Sequence, residues 1–306
     1  MIMSQNFNSL IELVTAIPDE QTAIDHFTAI RWKNGAFCPH CGSTRVYHFS
    51  DHRTHKCGDC RKRFSVKVGT IFEDSKIPMR KWLVAIWMIT SHKKGVASTQ
   101  LARDIQVTQK TAWFMLHRLR HAIRTRSFNR LLDGNVEADE TYIGGKSKNK
   151  HASKRRPGTQ GGVGKEIVLG MLERGGELRT VKMENLRARN VQGEIIRNVA
   201  LGASLMTDEH GSFVGLQGRY NHHRVNHSAG EYVRHYVLHT NGIESVWALF
   251  KRQIVGPHHW LSPKHLARYI DEMTWRFNLR KMDEGNRVNA LLAQTVGRLT
   301  YKSLIA

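Results

Sequence analysis

The chain has 306 residues, 40% of them apolar, which is enough to build at least one substantial core. Its 47 Lys and Arg against 26 Asp and Glu leave a formal net charge of +21, a field that draws in a polyanion and speeds encounter with it. The longest apolar stretch, around Trp82 to Thr90, falls far short of the roughly 20 residues a bilayer span needs. The first 30 residues carry Glu12, Asp19, Glu20 and Asp25 around Pro18, so neither a membrane helix nor a secretory leader is expected. The expected location is the cytoplasm, on the nucleoid, with no membrane partner.

Residues 8–31 space Leu10, Leu13, Val14, Ala23, Ile24, Phe27 and Ile30 as helices do, with Pro18 opening a second helix. Residues 33–72 are short runs punctuated by Gly and Cys and read as a small β-rich module. All four cysteines lie there, in Cys38-Pro-His-Cys41 and Cys57-Gly-Asp-Cys60, with 15 residues between the pairs. Each pair can point two thiolates at one ion, and two pairs complete a tetrahedron, so Cys38, Cys41, Cys57 and Cys60 are the expected ligands of a structural Zn2+. Four protein ligands leave no open position for catalysis at the metal.

From Met79 to Ile123 the pattern is helical. Trp82, Ala85, Ile86 and Ile89 make one stripe; a short helix follows from Ser98 to Ile105, capped by Ser98; the turn Gln106-Val-Thr108 leads into a second helix capped by Thr108. On that helix Ala112, Leu116, Leu119 and Ile123 share a face, and the other side offers Gln109, Lys110, Thr111, His117, Arg118 and Arg120. This predicts a helix-turn-helix whose second helix lies in the major groove of double-stranded DNA. Residues 141–165 contain no acid, but hold Lys154, Arg155 and Arg156 among seven basic residues and six glycines, a basic loop expected to contact phosphate. Its Gly161-Gly-Val-Gly-Lys165 is not a phosphate-binding P-loop, because Thr159 and Glu166 occupy positions that need Gly and Ser or Thr.

Strands are predicted at 136–143, 166–172, 178–181 and 203–207, with a helix at 190–201 and helices again after 240. Three acids stand out. Asp139 lies on the first strand, where alternation puts Glu137 and Asp139 on one side. Asp208 follows the strand 203–207. Glu244 opens a helix, with Lys251 two turns further on the same face. Cleaving a phosphodiester needs an activated water and a stabilised leaving oxygen. Two Mg2+ or Mn2+ ions held by carboxylates supply both. Asp139, Asp208 and Glu244 are therefore the expected catalytic metal ligands. Glu140 and Glu209 are rivals, and Asn241 is an alternative for the third position. His222, His223, His227 and His239 match no tight ligand motif and are expected to meet phosphate or flank the ions.

In order, the paired CxxC motifs, Lys62-Arg-Phe-Ser-Val-Lys-Val-Gly-Thr70, Val136-Glu-Ala-Asp-Glu-Thr-Tyr-Ile-Gly-Gly145, Met206-Thr-Asp-Glu209 and His239-Thr-Asn-Gly-Ile-Glu244 with Lys251 resemble the ISXO-like insertion-sequence transposases. The resemblance covers roughly residues 15–280. It implies an RNase H-like catalytic fold, cleavage at the element's terminal inverted repeats, Asp139 and Asp208 as the two aspartates, Glu244 as the third acid and Lys251 as the basic residue after it. The expected architecture is multidomain α+β: a helical segment at 1–32, a zinc ribbon at 33–75, a helix-turn-helix at 76–128, an α/β catalytic core at 129–262 and a helical tail at 263–306. The expected function is a cut-and-paste DNA transposase, acting as a homo-oligomer on terminal repeats and target DNA. A transcription regulator, or a nuclease without strand transfer, is the competing reading.

Overall fold

The computed structural model describes residues 7–123, 130–145, 151, 153, 162–225 and 238–306; Lys154, Arg155, Arg156 and His227 lie outside the described residues. The chain divides into two units, one of Met1–Arg124 with Leu279–Ala306 and one of Thr125–Asn278.

In the first unit, polar caps start the helices. Ser9 accepts from the Glu12 N–H at the head of α1 (Leu10–Ala16), and Asp19 accepts from the Thr22 N–H at the head of α2 (Glu20–Arg31). A three-stranded antiparallel sheet follows, β1 (Val46–His48), β2 (Thr54–Cys57) and β3 (Arg63–Ser65), in that order. Helix α3 (Met79–Ser91) begins after Pro78 without a cap of its own; Glu20 supplies one from α2, accepting from the Met79 and Arg80 N–H groups at 2.7 and 3.1 Å. Helices α4 (Ser98–Asp104) and α5 (Gln109–Ala122) are joined by a four-residue turn with Gln106 in the left-handed region, and Thr108 caps α5. Ser98 is the first residue of α4 rather than its cap, and its hydroxyl accepts from Gln109 Nε2 instead.

The second unit is built on a five-stranded sheet in the order β6 (Leu178–Met183), β5 (Glu166–Glu173), β4 (Asn135–Ile143), β7 (Ser204–Thr207), β8 (Asn221–Arg224). The pairs β4–β5 and β5–β6 are antiparallel, whereas β4–β7 and β7–β8 are parallel, the strand plan of an RNase H-like domain. Helix α6 (Ala188–Asn198) packs one face through Val191 and Ile195 against Val136, Ala138, Leu169 and Leu205. Helices α7 (Asn241–Gln253) and α8 (Leu266–Asn278) cover the other, with Ile243, Trp247, Phe250 and Ile270 against Ile143, Val168 and Leu172. Two glycines let α7 come close: a Cβ at Gly170 would run into Trp247 and Ile243, and one at Gly242 would lie 2.8 Å from a Glu137 carboxylate oxygen.

The segment 263–306 is shared between the units. Helix α8 belongs to the second, whereas α9 (Glu284–Ala293) and α10 (Tyr301–Ile305) belong to the first. There Asn289 meets His26 at 3.0 Å and the Ile71 N–H donates to the Thr295 carbonyl. Strand β8 was not expected, because Asn-His-His-Arg carries no apolar signal. As a partly exposed edge strand it needs none.

Candidate active site and cysteine cluster

The central strand β4 is buried on both faces over Val136, Glu137 and Ala138 and opens at Asp139 and Glu140. Its parallel neighbour β7 ends at Thr207, so Asp208 leaves the sheet next to Asp139. Ligand oxygens of Asp139, Glu140 and Asp208 all lie within 4.8 Å of one another. Asp208 is steadied from its own loop: Oδ1 accepts from the His210 N–H at 3.0 Å, and the buried Thr207 hydroxyl donates to the Asp208 carbonyl at 2.9 Å. His222 Nε2, on β8, stands 2.9 Å from the same hydroxyl. Burial, then Arg224 and His223, push His222 down to about 4, so at neutral pH this ring is an uncharged brace behind Asp208 and no phosphate-binding cation.

Burial, then the carboxylates of Glu140, Asp208 and Glu244, pushes Asp139 up to about 7. Glu140 is also raised, by burial and by Asp208, and its Oε2 has no hydrogen-bond partner among the described residues. Glu244 stands on the first turn of α7 and is not in the tight group. Its charge is nonetheless felt at Asp139, and its Oε1 accepts from the Thr240 hydroxyl at 2.8 Å. Thr240 stands just before α7 without capping it through its side chain, and Asn241, the first residue of α7, is exposed, as is Lys251 in the last turn.

A carboxylate raised this way makes a stability prediction. Folded Asp139 holds its proton up to about pH 7, whereas an unfolded Asp releases it near 4. The folded state is therefore favoured at low pH, and that advantage disappears as pH rises through about 7. In metal-free protein, Asp139→Asn should raise the melting temperature by about 5 °C at pH 8 and leave it unchanged at pH 4. Scanning calorimetry at the two pH values reads this directly; an equal shift at both would remove the electrostatic crowding from the account.

In the first unit the four cysteines converge. Cys38 and Cys60 sulfurs lie 3.7 Å apart and those of Cys41 and Cys57 3.6 Å, with all four within 4.8 Å. Zn–S bonds of about 2.3 Å in a tetrahedron require sulfurs about 3.8 Å apart, so the set fits zinc. Backbone N–H groups of His40, Asp59 and Cys60 point at Cys38 and Cys57, each at 3.4 Å.

The helix α5 corrects one expectation. His117, Arg118 and Arg120 are buried, and the Arg118 guanidinium donates to the carbonyls of Ile71 and Glu73 while stacking on Phe114. Apolar periodicity had marked one covered face, but the C-terminal half of α5 is covered all round. Gln109 and Lys110 remain exposed and Thr111 half-buried, with the Lys110 ammonium over the Tyr301 ring.

The profile of the ISXO2-like transposase domain matches residues 131–278, and that of a transposase zinc-ribbon domain matches residues 18–63. The chain is 27% identical over 265 residues to an uncharacterized protein in the transposable element ISH50 of Halobacterium salinarum, covering 82% of this chain and 88% of that protein. It is also similar to chains in crystal structures of the Mos1 strand transfer complex (14% identity, 74% and 82% covered, TM-score 0.26) and of the Mos1 mariner paired end complex with Mn (12% identity, 71% and 79% covered, TM-score 0.26), likenesses too slight to build on.

Proposed function

We propose that the chain is a DDE transposase, as the matches of residues 131–278 to the ISXO2-like transposase domain and of residues 18–63 to the transposase zinc ribbon suggest, and that it binds the terminal inverted repeats of an insertion sequence, cuts the DNA there and joins the freed 3′-hydroxyl ends to a target. The observation that carries this reading is the meeting of Asp139, midway along β4, with Asp208, just past the end of the adjacent parallel strand β7, crowded enough that Asp139 is pushed up to about 7. An all-oxygen set of clustered acids, one with a buried oxygen that has no partner among the described residues, suits hard divalent cations. Asp139, Asp208 and Glu244 hold two Mg2+ or Mn2+ ions, which when bound activate the attacking water and stabilise the leaving 3′-oxygen. Lys251, about 10 Å along α7 from Glu244, grips a neighbouring phosphate. Cys38, Cys41, Cys57 and Cys60 hold a structural Zn2+. The enzyme works on the nucleoid as a homo-oligomer that pairs two element ends; no helix among the described residues is long and apolar enough to cross a membrane.

Repeat recognition falls to the first turn of α5, in a helix-turn-helix of α4 and α5. Gln109, held by Ser98 at 2.8 Å, reads a base edge, and Lys110 and Thr111 meet the backbone. Lys110→Ala should weaken repeat binding several-fold and flatten the salt dependence by about one unit of slope. Gln109→Ala should cost about 1–3 kcal/mol on the cognate repeat and little on unrelated DNA. Arg118→Ala should lower the melting temperature of the first unit, because it strips two buried carbonyls of their donor. Fluorescence anisotropy over a salt series tests this. Full repeat affinity in both the Gln109 and Lys110 variants would move recognition elsewhere.

A further inference from the structure

We propose that Glu137 is a positioning residue of the active site: buried in β4, it grips the first turn of α7 and so sets where Glu244 stands relative to Asp139. The inference rests on the reading of Glu244 as a site carboxylate. The Glu137 side chain is completely buried, and a carboxylate that deep persists only with partners. It has three. Oε2 accepts from the Ile243 N–H at 2.9 Å, one of the helix-start donors that has no partner within the helix. Oε1 accepts from Arg174 Nε at 2.7 Å and lies 3.4 Å from His239 Nδ1. Arg174 in turn donates from Nη2 to the His239 carbonyl at 2.9 Å, while its own N–H donates to the Asn135 carbonyl at the start of β4. Both the entry to α7 and its first turn are thereby tied to the strand that carries Asp139.

An ordinary helix start is capped from its own sequence. Here Thr240 makes no side-chain bond to the first N–H groups, and its hydroxyl goes to Glu244. The anion that complements the helix start comes instead from 106 residues away. A local cap would stabilise the helix equally well but would say nothing about where the helix sits. The long-range one fixes a location: Ile243 precedes Glu244 by one residue, and Glu137 precedes Asp139 by two. Gly242 leaves no slack, since a Cβ there would lie 2.8 Å from Glu137 Oε2 and 3.0 Å from Leu172 Cδ2.

Two variants test the inference from opposite sides. Glu137→Gln removes the charge that Arg174 holds. Gly242→Ala improves helix propensity yet pushes the first turn off the strand. In both, binding of repeat DNA without metal should stay at the wild-type level. The Mn2+ concentration giving half-maximal cleavage should rise about tenfold, and calorimetric titration of Mn2+ into the whole protein should weaken by a similar factor. Wild-type Mn2+ affinity and metal dependence in Gly242→Ala overturns the proposal even if Glu137→Gln fails to fold, and so does lost activity with unchanged Mn2+ affinity. Asp139→Asn, run alongside, separates the two levels. If it cleaves normally, the reading of the site itself fails; if it is inactive while both test variants behave as wild type, only the positioning role fails.

Discussion

Asp139→Asn and Asp208→Asn should each reduce strand cleavage by about three orders of magnitude or more, while repeat binding and folding persist. Each change keeps the side-chain shape and removes one charge from a cluster whose oxygens lie within 4.8 Å of one another. Losing about 4 kcal/mol of metal-borne transition-state stabilisation accounts for that factor. Glu244→Gln is the sharper case. The Thr240 hydroxyl donates to Glu244 Oε1, and a glutamine carbonyl accepts that bond equally well. If Glu244 did no more than accept this bond, cleavage would stay near normal; the expected result is collapse. Activity retained in Glu244→Gln but lost in Glu140→Gln would move the third ligand to Glu140, and loss in Asn241→Ala alone would move it there. Cleavage assays in Mg2+ and Mn2+ across these variants decide among the three. Normal cleavage in both Asp139→Asn and Asp208→Asn would reject the carboxylate site altogether.

Removing zinc should unfold the ribbon. Its own core is small: Cys38, Cys57 and Phe64 are buried, with Trp32, Val46, Cys60 and Val68 packed partly against them. A module with so few apolar side chains cannot offset its chain entropy, and metal binding supplies on the order of 10 kcal/mol to such folds. Metal analysis should return one zinc per chain. Cys57→Ser or a strong chelator should release it, expose residues 33–75 to protease and abolish repeat binding, while the unit of Thr125–Asn278 keeps its melting transition. A zinc-free preparation with a protease-resistant ribbon would contradict the assignment.

Much of this was legible because the signals are local. The paired CxxC motifs announce their cluster, Pro18 and Thr108 announce helix starts, and the alternation of β4 puts Glu137 and Asp139 on one face. What escaped is what depends on distant chain. Periodicity gave α5 one covered face, so His117, Arg118 and Arg120 were expected outside; the carbonyls of Ile71 and Glu73, some 45 residues away, hold Arg118 inside. Strand β8 is too polar to signal itself. The contacts of α9 with the N-terminal helices, such as Asn289 with His26, have no local signature. Of the site, Asp139 was visible as an acid on a strand and Asp208 as an acid just past a strand's end. The companionship of Glu140 and the grip of Glu137 on Ile243 follow only once β4, β7 and α7 are assembled.

The most direct test uses the whole chain, Mg2+, a plasmid, and DNA ending in the repeats that flank the gene. Products are followed by end label. Cutting at the repeat boundary, followed by joining of the freed 3′ end to the plasmid, is the result expected from the site at Asp139, Asp208 and Glu244. Specific binding of the repeat with no cleavage in either Mg2+ or Mn2+ would contradict it.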